Sequence, residues 1–336
     1  MLRFIVRRML QAVLALFVLS VLLFAWLRSL PGGPVAALLG ERGTAESAAR
    51  LRAQLGLDDS LVVQYWRFLG RSLQGDFGIS NGVYRGQEAL DVFLQRLPAT
   101  IELSLVAMIL ALSLAVPLGY LAARRRGGPF DTGSVIFSLV GVAVPVFFLA
   151  YVLKYIFAVE YGWLPPSGRQ SIGINATHIT NMYVLDGILT REWDAAWDAF
   201  RHLILPAIAL SSIPFAIVFR ITRAAVIEVL EEDFVRTARA KGLTSRVIRR
   251  RHIMRNALIP VVTIIGLQVG ALLAGAVLTE KVFAFQGIGQ ALAIGFELRD
   301  YPVLQVLIMM AALIYIVVNL LVDIAYAVID PRVRTK

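Results

Sequence analysis

Between residues 231 and 260 the chain reads EEDFVRTARAKGLTSRVIRRRHIMRNALIP. Arg236, Arg239, Lys241, Arg246, Arg249, Arg250, Arg251 and Arg255 stand there against Glu231, Glu232 and Asp233. These side chains make no nucleophile–base pair and no metal-ligand set; the chemistry they offer is docking. Charges supply ion pairs to a partner's rim. The small residues Thr237, Ala238 and Ala240, followed by Gly242, read as a short helix that ends where a second surface comes close. Apolar runs long enough to cross a bilayer flank the stretch, so it must lie in water, and its excess of Arg and Lys places it on the cytoplasmic side. A mere topological anchor would need the charge but not the pattern of small residues.

Other chemistry has little to work with. The chain has no cysteine, which excludes disulfides, thiolate metal sites and thiol catalysis. His178, His202 and His252 are scattered without ligand spacing. No GxxxxGK[ST] occurs, so the chain has no Walker loop, and Gly287-Ile-Gly289 lacks the third glycine of a nucleotide fingerprint. Inside the apolar runs the polar residues are chiefly Gln11, Gln268 and Asn319, with Asp323 near the inner end of the last run. Proton- or sodium-coupled carriers keep ionisable groups or broken helices at the midplane. Here no carboxylate pair stands there, so energy for transport must come from another subunit. The basic stretch is the place to receive it.

Six elements must position that stretch. Of the 336 residues 58% are hydrophobic and 17% charged, and the mean hydropathy is +0.72. A soluble domain has about 45–50% and about 25%; this is an integral membrane protein. The net charge of +10 collects at the ends of apolar runs, which points to membrane topology and away from nucleic acid. The runs are 9–27, 103–123, 132–153, 203–219, 256–279 and 301–322. The first follows Arg3, Arg7 and Arg8 and lacks a cleavage site, so it is a spanning helix and not a signal peptide. The fourth is short and broken by Pro206 and Pro214; Gly266, Gly270 and Gly275 make the fifth an interior helix. Both termini fall inside.

Outside lie two long segments and one short turn. Residues 31–98 hold two amphipathic helices, 46–57 and 60–73, the second carrying Tyr65, Trp66 and Phe68, and read as a docking surface. Residues 160–202 are slightly acidic, and 283–300 form a short turn. Lys154, at the outer end of the third run, is expected to snorkel to the interface. The organisation is an N-terminal transmembrane helix (1–30), an external segment (31–97) and a core (98–336) whose cytoplasmic loop spans 224–256.

The run Asp233-Phe-Val-Arg-Thr-Ala-Arg-Ala-Lys-Gly-Leu243, continuing to Arg255-Asn-Ala-Leu-Ile-Pro260, resembles the coupling loop of ABC importer permeases of the dipeptide/oligopeptide/nickel uptake group. Leu30-Pro-Gly-Gly-Pro34, Leu57-Asp-Asp59, Gly75-Asp-Phe-Gly78, Leu205-Pro206, Glu280-Lys-Val-Phe283, Gly287-Ile-Gly289 and Asp330-Pro-Arg332 extend the resemblance over nearly the whole chain. The general importer pattern differs: Arg236-Thr237-Ala238 replaces its Glu-Ala-Ala, and His252-Ile-Met-Arg255 replaces its Ile-x-Leu-Pro.

The resemblance implies an all-α membrane protein with six transmembrane helices, the type I ABC importer permease fold, in the bacterial inner membrane. It implies that Asp233, Arg236, Thr237, Ala238, Arg239, Ala240, Lys241, Gly242 and Leu243 dock on a cytoplasmic ATPase. The implied partners are a second homologous permease, two ABC ATPase subunits that bind ATP and magnesium, and an extracytoplasmic substrate-binding protein. This chain would itself carry no cofactor and no enzymatic activity. It leaves the substrate path unassigned. The implied cargo is a di- or oligopeptide, the alternatives being a nickel chelate, glutathione or another small solute; a stand-alone secondary carrier is the rival from another class.

Overall fold

A computed structural model describes residues 2–29, 35, 39, 44–54 and 56–329. The Leu30–Pro34 and Asp330–Arg332 motifs and the Asp323 side chain lie outside the described residues. Every named element is a helix, and the described residues add only an isolated antiparallel bridge between Ile79 and Glu88.

The elements are α1 (Leu2–Ser29), α2 (Ala45–Gln54), α3 (Leu61–Leu73), α4 (Ala89–Arg124), α5 (Pro129–Ala143) and α6 (Val146–Leu153). They continue as α7 (Tyr183–Leu189), α8 (Trp193–Glu231), α9 (Asp233–Ala240), α10 (Arg255–Gly275), α11 (Val277–Val282), α12 (Ile288–Glu297) and α13 (Tyr301–Ile329). Wide π-helical turns extend α6 through Lys154–Glu160 and lead into α10 through Ile248–Met254. Five single helices are long and apolar enough to cross a membrane, and the bent pair α5–α6, counted as one span, gives six.

Helix α8 is the axis of the bundle. Its apolar window is 72% buried, against 22% for α1 and α13, most of whose apolar surface this chain leaves uncovered. The expected break at Pro206 and Pro214 does not occur: both lie inside one 39-residue helix. An interior proline costs about 3 kcal/mol through its missing N–H and its ring clash. Here α4, α5, α6, α7 and α10 all pack on α8, and Ala207, Ala209 and Ala216 let them come close. The burial outweighs the local cost.

The third span differs in the opposite sense. Expected as one run, it turns through 101° between α5 and α6. Pro145 has no N–H to continue the ladder, and Val144 before it is held extended at φ −78, ψ 123.

The soluble side is also more helical than expected. Helix α4 starts at Ala89 and passes through Pro98, so the boundary drawn there falls inside one helix. Residues 193–202 belong to α8, and the turn 283–300 contains α12. In the outer segment Ser60 caps α3, its hydroxyl accepting from the Val63 amide at 3.5 Å. Tyr65 packs edge-on to Phe17 and Phe24 of α1 and shares a 2.8 Å hydrogen bond with Ser20, while Trp66 stays exposed. Gly266 and Gly270 lie against Val322 and Tyr315 of α13, as small residues at a close helix crossing should, but the helix expected to be interior is only 28% buried over its apolar window.

Candidate functional site

The basic stretch begins with a helix. Helix α9 follows α8 after a single extended residue, Glu232, at φ −68 and ψ 142. Asp233 in the first turn and Arg239 in the last suit the helix dipole. Thr237 Oγ1 donates back to the Asp233 carbonyl at 2.9 Å. The far end is a Schellman motif: the Leu243 amide donates to Ala238 O at 3.3 Å and the Gly242 amide to Arg239 O at 2.9 Å. Gly242 has φ +71, which a glycine adopts without strain, and open space surrounds its α-carbon. The glycine is there for its backbone.

Two residues of α9 turn inward. Val235 and Ala238 are buried with Tyr120 and Ala123 of α4, Ala225 and Val226 of α8, and Ile248, Ile253 and Ala257. The small size of Ala238 therefore serves this chain's own core, and only Ala240 of the two alanines faces outward. Asp233, Arg236, Thr237, Arg239, Ala240, Lys241, Gly242 and Leu243 are exposed together with Phe234, giving an apolar pair, Phe234 and Leu243, set among three cations. Beside α9, Arg246, Arg249 and Arg250 line a cavity of ≈ 360 Å³ with Met254.

At the opposite end of α4, some 20 residues or about 30 Å away, buried carboxylates organise the loops. Glu280 of α11 is fully buried. It accepts from Thr100 Oγ1 at 2.7 Å and from the Gln290 amide at 3.0 Å, and the Ile288 amide donates to the same threonine oxygen at 2.9 Å. Burial pushes the Glu280 carboxyl up to about 7, against the pull of those donors and of Arg169. Glu102 of α4 accepts from the Tyr183 and Val184 amides at 3.1 and 2.8 Å and so caps α7. It also pairs with Arg169 at 3.2 Å, and the guanidinium lies 3.7 Å from the centre of the Tyr183 ring. Burial pushes the Arg169 guanidinium down. Asp300 accepts from Ser80 Oγ at 2.6 Å and from the Gly82 and Val83 amides at 2.9 Å.

Sequence reasoning gave Glu102, Asp300 and Arg169 no role. Their signal was faint: each is a charge beside an apolar run or a glycine turn. Lys154 is placed differently from expectation, donating to Val282 O at 2.8 Å at the end of α11. Each carboxylate spends its acceptors on amides, hydroxyls or arginine, so this end of the molecule is a brace and not a catalytic set. No metal-holding group of His, Asp and Glu occurs among the described residues.

A family model described as "Binding-protein-dependent transport system inner membrane component" matches residues 115–335, and its N-terminal companion matches residues 1–104. The chain belongs to this family. As a binding-protein-dependent transport component it is a multi-pass inner-membrane protein, and its relatives are alike over their full length. It is 44% identical to the di/tripeptide transport system permease protein DppB of Pseudomonas aeruginosa, over 99% of both chains. It is 40% identical to the dipeptide transport system permease protein DppB of Alkalihalophilus pseudofirmus, over 99% of this chain and 100% of that one. The glutathione transport system permease protein GsiC of Escherichia coli is 36% identical over 100% of both. A solved structure of the MetNI methionine ABC transporter in inward-facing conformations superposes with a TM-score of 0.54 at 15% identity, covering 71% of this chain and 96% of that one. That similarity shows the shared fold of ABC importer permeases.

Proposed function

We propose that this chain is the permease subunit of an ATP-driven importer of di- or oligopeptides, forming half of the translocation path beside a second permease. Similarity to dipeptide permeases over the whole chain supports the peptide cargo. The observation that carries the coupling role is α9: a short helix fixed on the bundle through Val235 and Ala238, presenting its remaining residues outward. Such a helix suits a groove on a cytoplasmic ATPase, with Phe234 and Leu243 as apolar anchors and Arg236, Arg239 and Lys241 facing acidic rim groups. ATP and magnesium belong to two such ATPases, and an extracytoplasmic binding protein delivers cargo to the outer loops. The basic end bearing α9 then lies in the cytoplasm, with both termini on that side. Closure of the ATPases would move the docked helices and switch the bundle between inward- and outward-facing arrangements.

The test is ATPase activity in proteoliposomes holding this chain, the neighbouring permease and the candidate ATPases. Stimulation by a binding protein loaded with a di- or oligopeptide is the expected result. Stimulation by glutathione or a metal chelate alone would keep the architecture and change the cargo. Transport with no ATPase present would defeat the proposal.

A further inference from the structure

We propose that Asp131 and Arg223 form a positioning pair that carries movement of the docking helix α9 into the bent third span, an inference that rests on the coupling role proposed above. Arg223 lies on α8 two turns, or about 12 Å, before the end that leads into α9. Its guanidinium grips Asp131 in the first turn of α5 with two hydrogen bonds, Nε to Oδ1 at 2.5 Å and Nη2 to Oδ2 at 2.7 Å. The Asp131 carboxylate is buried, and its Oδ2 also accepts from the Gly127 amide at 3.0 Å.

Beside this pair, α5 and α8 also meet through apolar side chains. Phe137 meets Phe215 edge-on at 5.9 Å, and Phe130 and Val135 pack on the cluster around Phe219. Apolar burial is non-directional, whereas a bidentate arginine–carboxylate pair fixes both distance and orientation. Arg126 and Glu231 add a second pair across the same two segments at 2.9 Å, but both are exposed and contribute little.

The span that starts at Asp131 behaves as a bent lever. It turns through 101° at Val144 and Pro145. Just past α6, the Lys154 ammonium is fastened to Val282 O at 2.8 Å, beside the Glu280 brace. One arm is thus tied to the helix that leads into α9 and the other to the outer end. Displacement of α9 acts on the last turns of α8, passes through Asp131, and is taken up at the bend by Pro145.

The test uses the whole complex in proteoliposomes, reading solute moved per ATP hydrolysed as well as the amount of assembled complex. Asp131→Asn should assemble and hydrolyse ATP, with solute moved per ATP falling about tenfold. Arg223→Lys, which keeps one bond of the pair, should recover part of the ratio. Should Asp131→Asn fail to assemble because a partly buried arginine is left unpaired, Asp131→Asn/Arg223→Gln removes both charges and should show the same uncoupling. An unchanged ratio in these variants, or activity lost only in proportion to lost assembly, overturns the inference. Failure of the wild-type complex to couple ATP to transport would instead overturn the proposed function, and the wild-type control reads that separately.

Discussion

The carboxylate of Glu280 occupies the space that a β-carbon on Gly287 would need. Glu280 cannot easily give way, because Thr100 and the Gln290 amide hold its two oxygens. Gly287→Ala should therefore lower stability by about 1–3 kcal/mol, the range for overpacking a filled core. Thermal unfolding of the purified protein in detergent measures this, and a melting temperature equal to the parent's would contradict the close fit.

Glu280 also predicts a pH dependence. Its carboxyl is raised from 4.5 to about 7 in the folded protein, so between those values the folded state holds a proton that the unfolded state has lost. Stability must then fall as pH rises through that window and level off above it. Glu280→Gln has no such titration. The melting temperature of the parent relative to that variant should drop between pH 4.5 and 7; parallel curves would show that the carboxylate is already charged across the range.

Breaking the Glu102–Arg169 pair should loosen the outer loop. Glu102→Ala strands a buried guanidinium and removes the acceptors of the Tyr183 and Val184 amides. The loss of one partner from a buried pair costs about 3–5 kcal/mol. Limited proteolysis should cut residues 161–192 faster in this variant. Combining it with Arg169→Met should restore part of the protection, since no buried charge is then left alone.

Substitutions at Gly242 separate backbone from charge. Gly242→Val cannot adopt φ +71 without strain of about 1–2 kcal/mol and should disrupt the end of α9. Gly242→Asn tolerates that conformation and should retain most uptake. Gly242→Asp has similar backbone tolerance but adds a negative charge on the face proposed to dock, and should abolish uptake while leaving the protein in the membrane. Equal uptake by the Asn and Asp variants would remove the docking explanation.

The membrane class, the long apolar runs and the short helix at 233–240 were legible because each rests on local signals. Apolar runs of bilayer length have one stable solution in lipid. Small residues followed by a glycine end a short helix wherever it lies, and α9 ends at Gly242 as that pattern requires. Pro145 bends its span where Pro206 and Pro214 do not bend theirs, and only the structure shows the extended Val144 that makes the difference.

Other features depended on what packs around a residue. Pro206 and Pro214 looked like breaks because sequence shows only the lost backbone bonds, not the five helices that bury α8. Ala238 looked like a docking residue until the fold turned it inward against Tyr120 and Ile253. The pairs Glu102–Arg169, Thr100–Glu280 and Asp131–Arg223 join positions 67, 180 and 92 residues apart. No periodicity encodes such distances. Burial of a charge becomes tolerable only when a partner arrives from elsewhere in the chain, and that is settled by the tertiary structure alone.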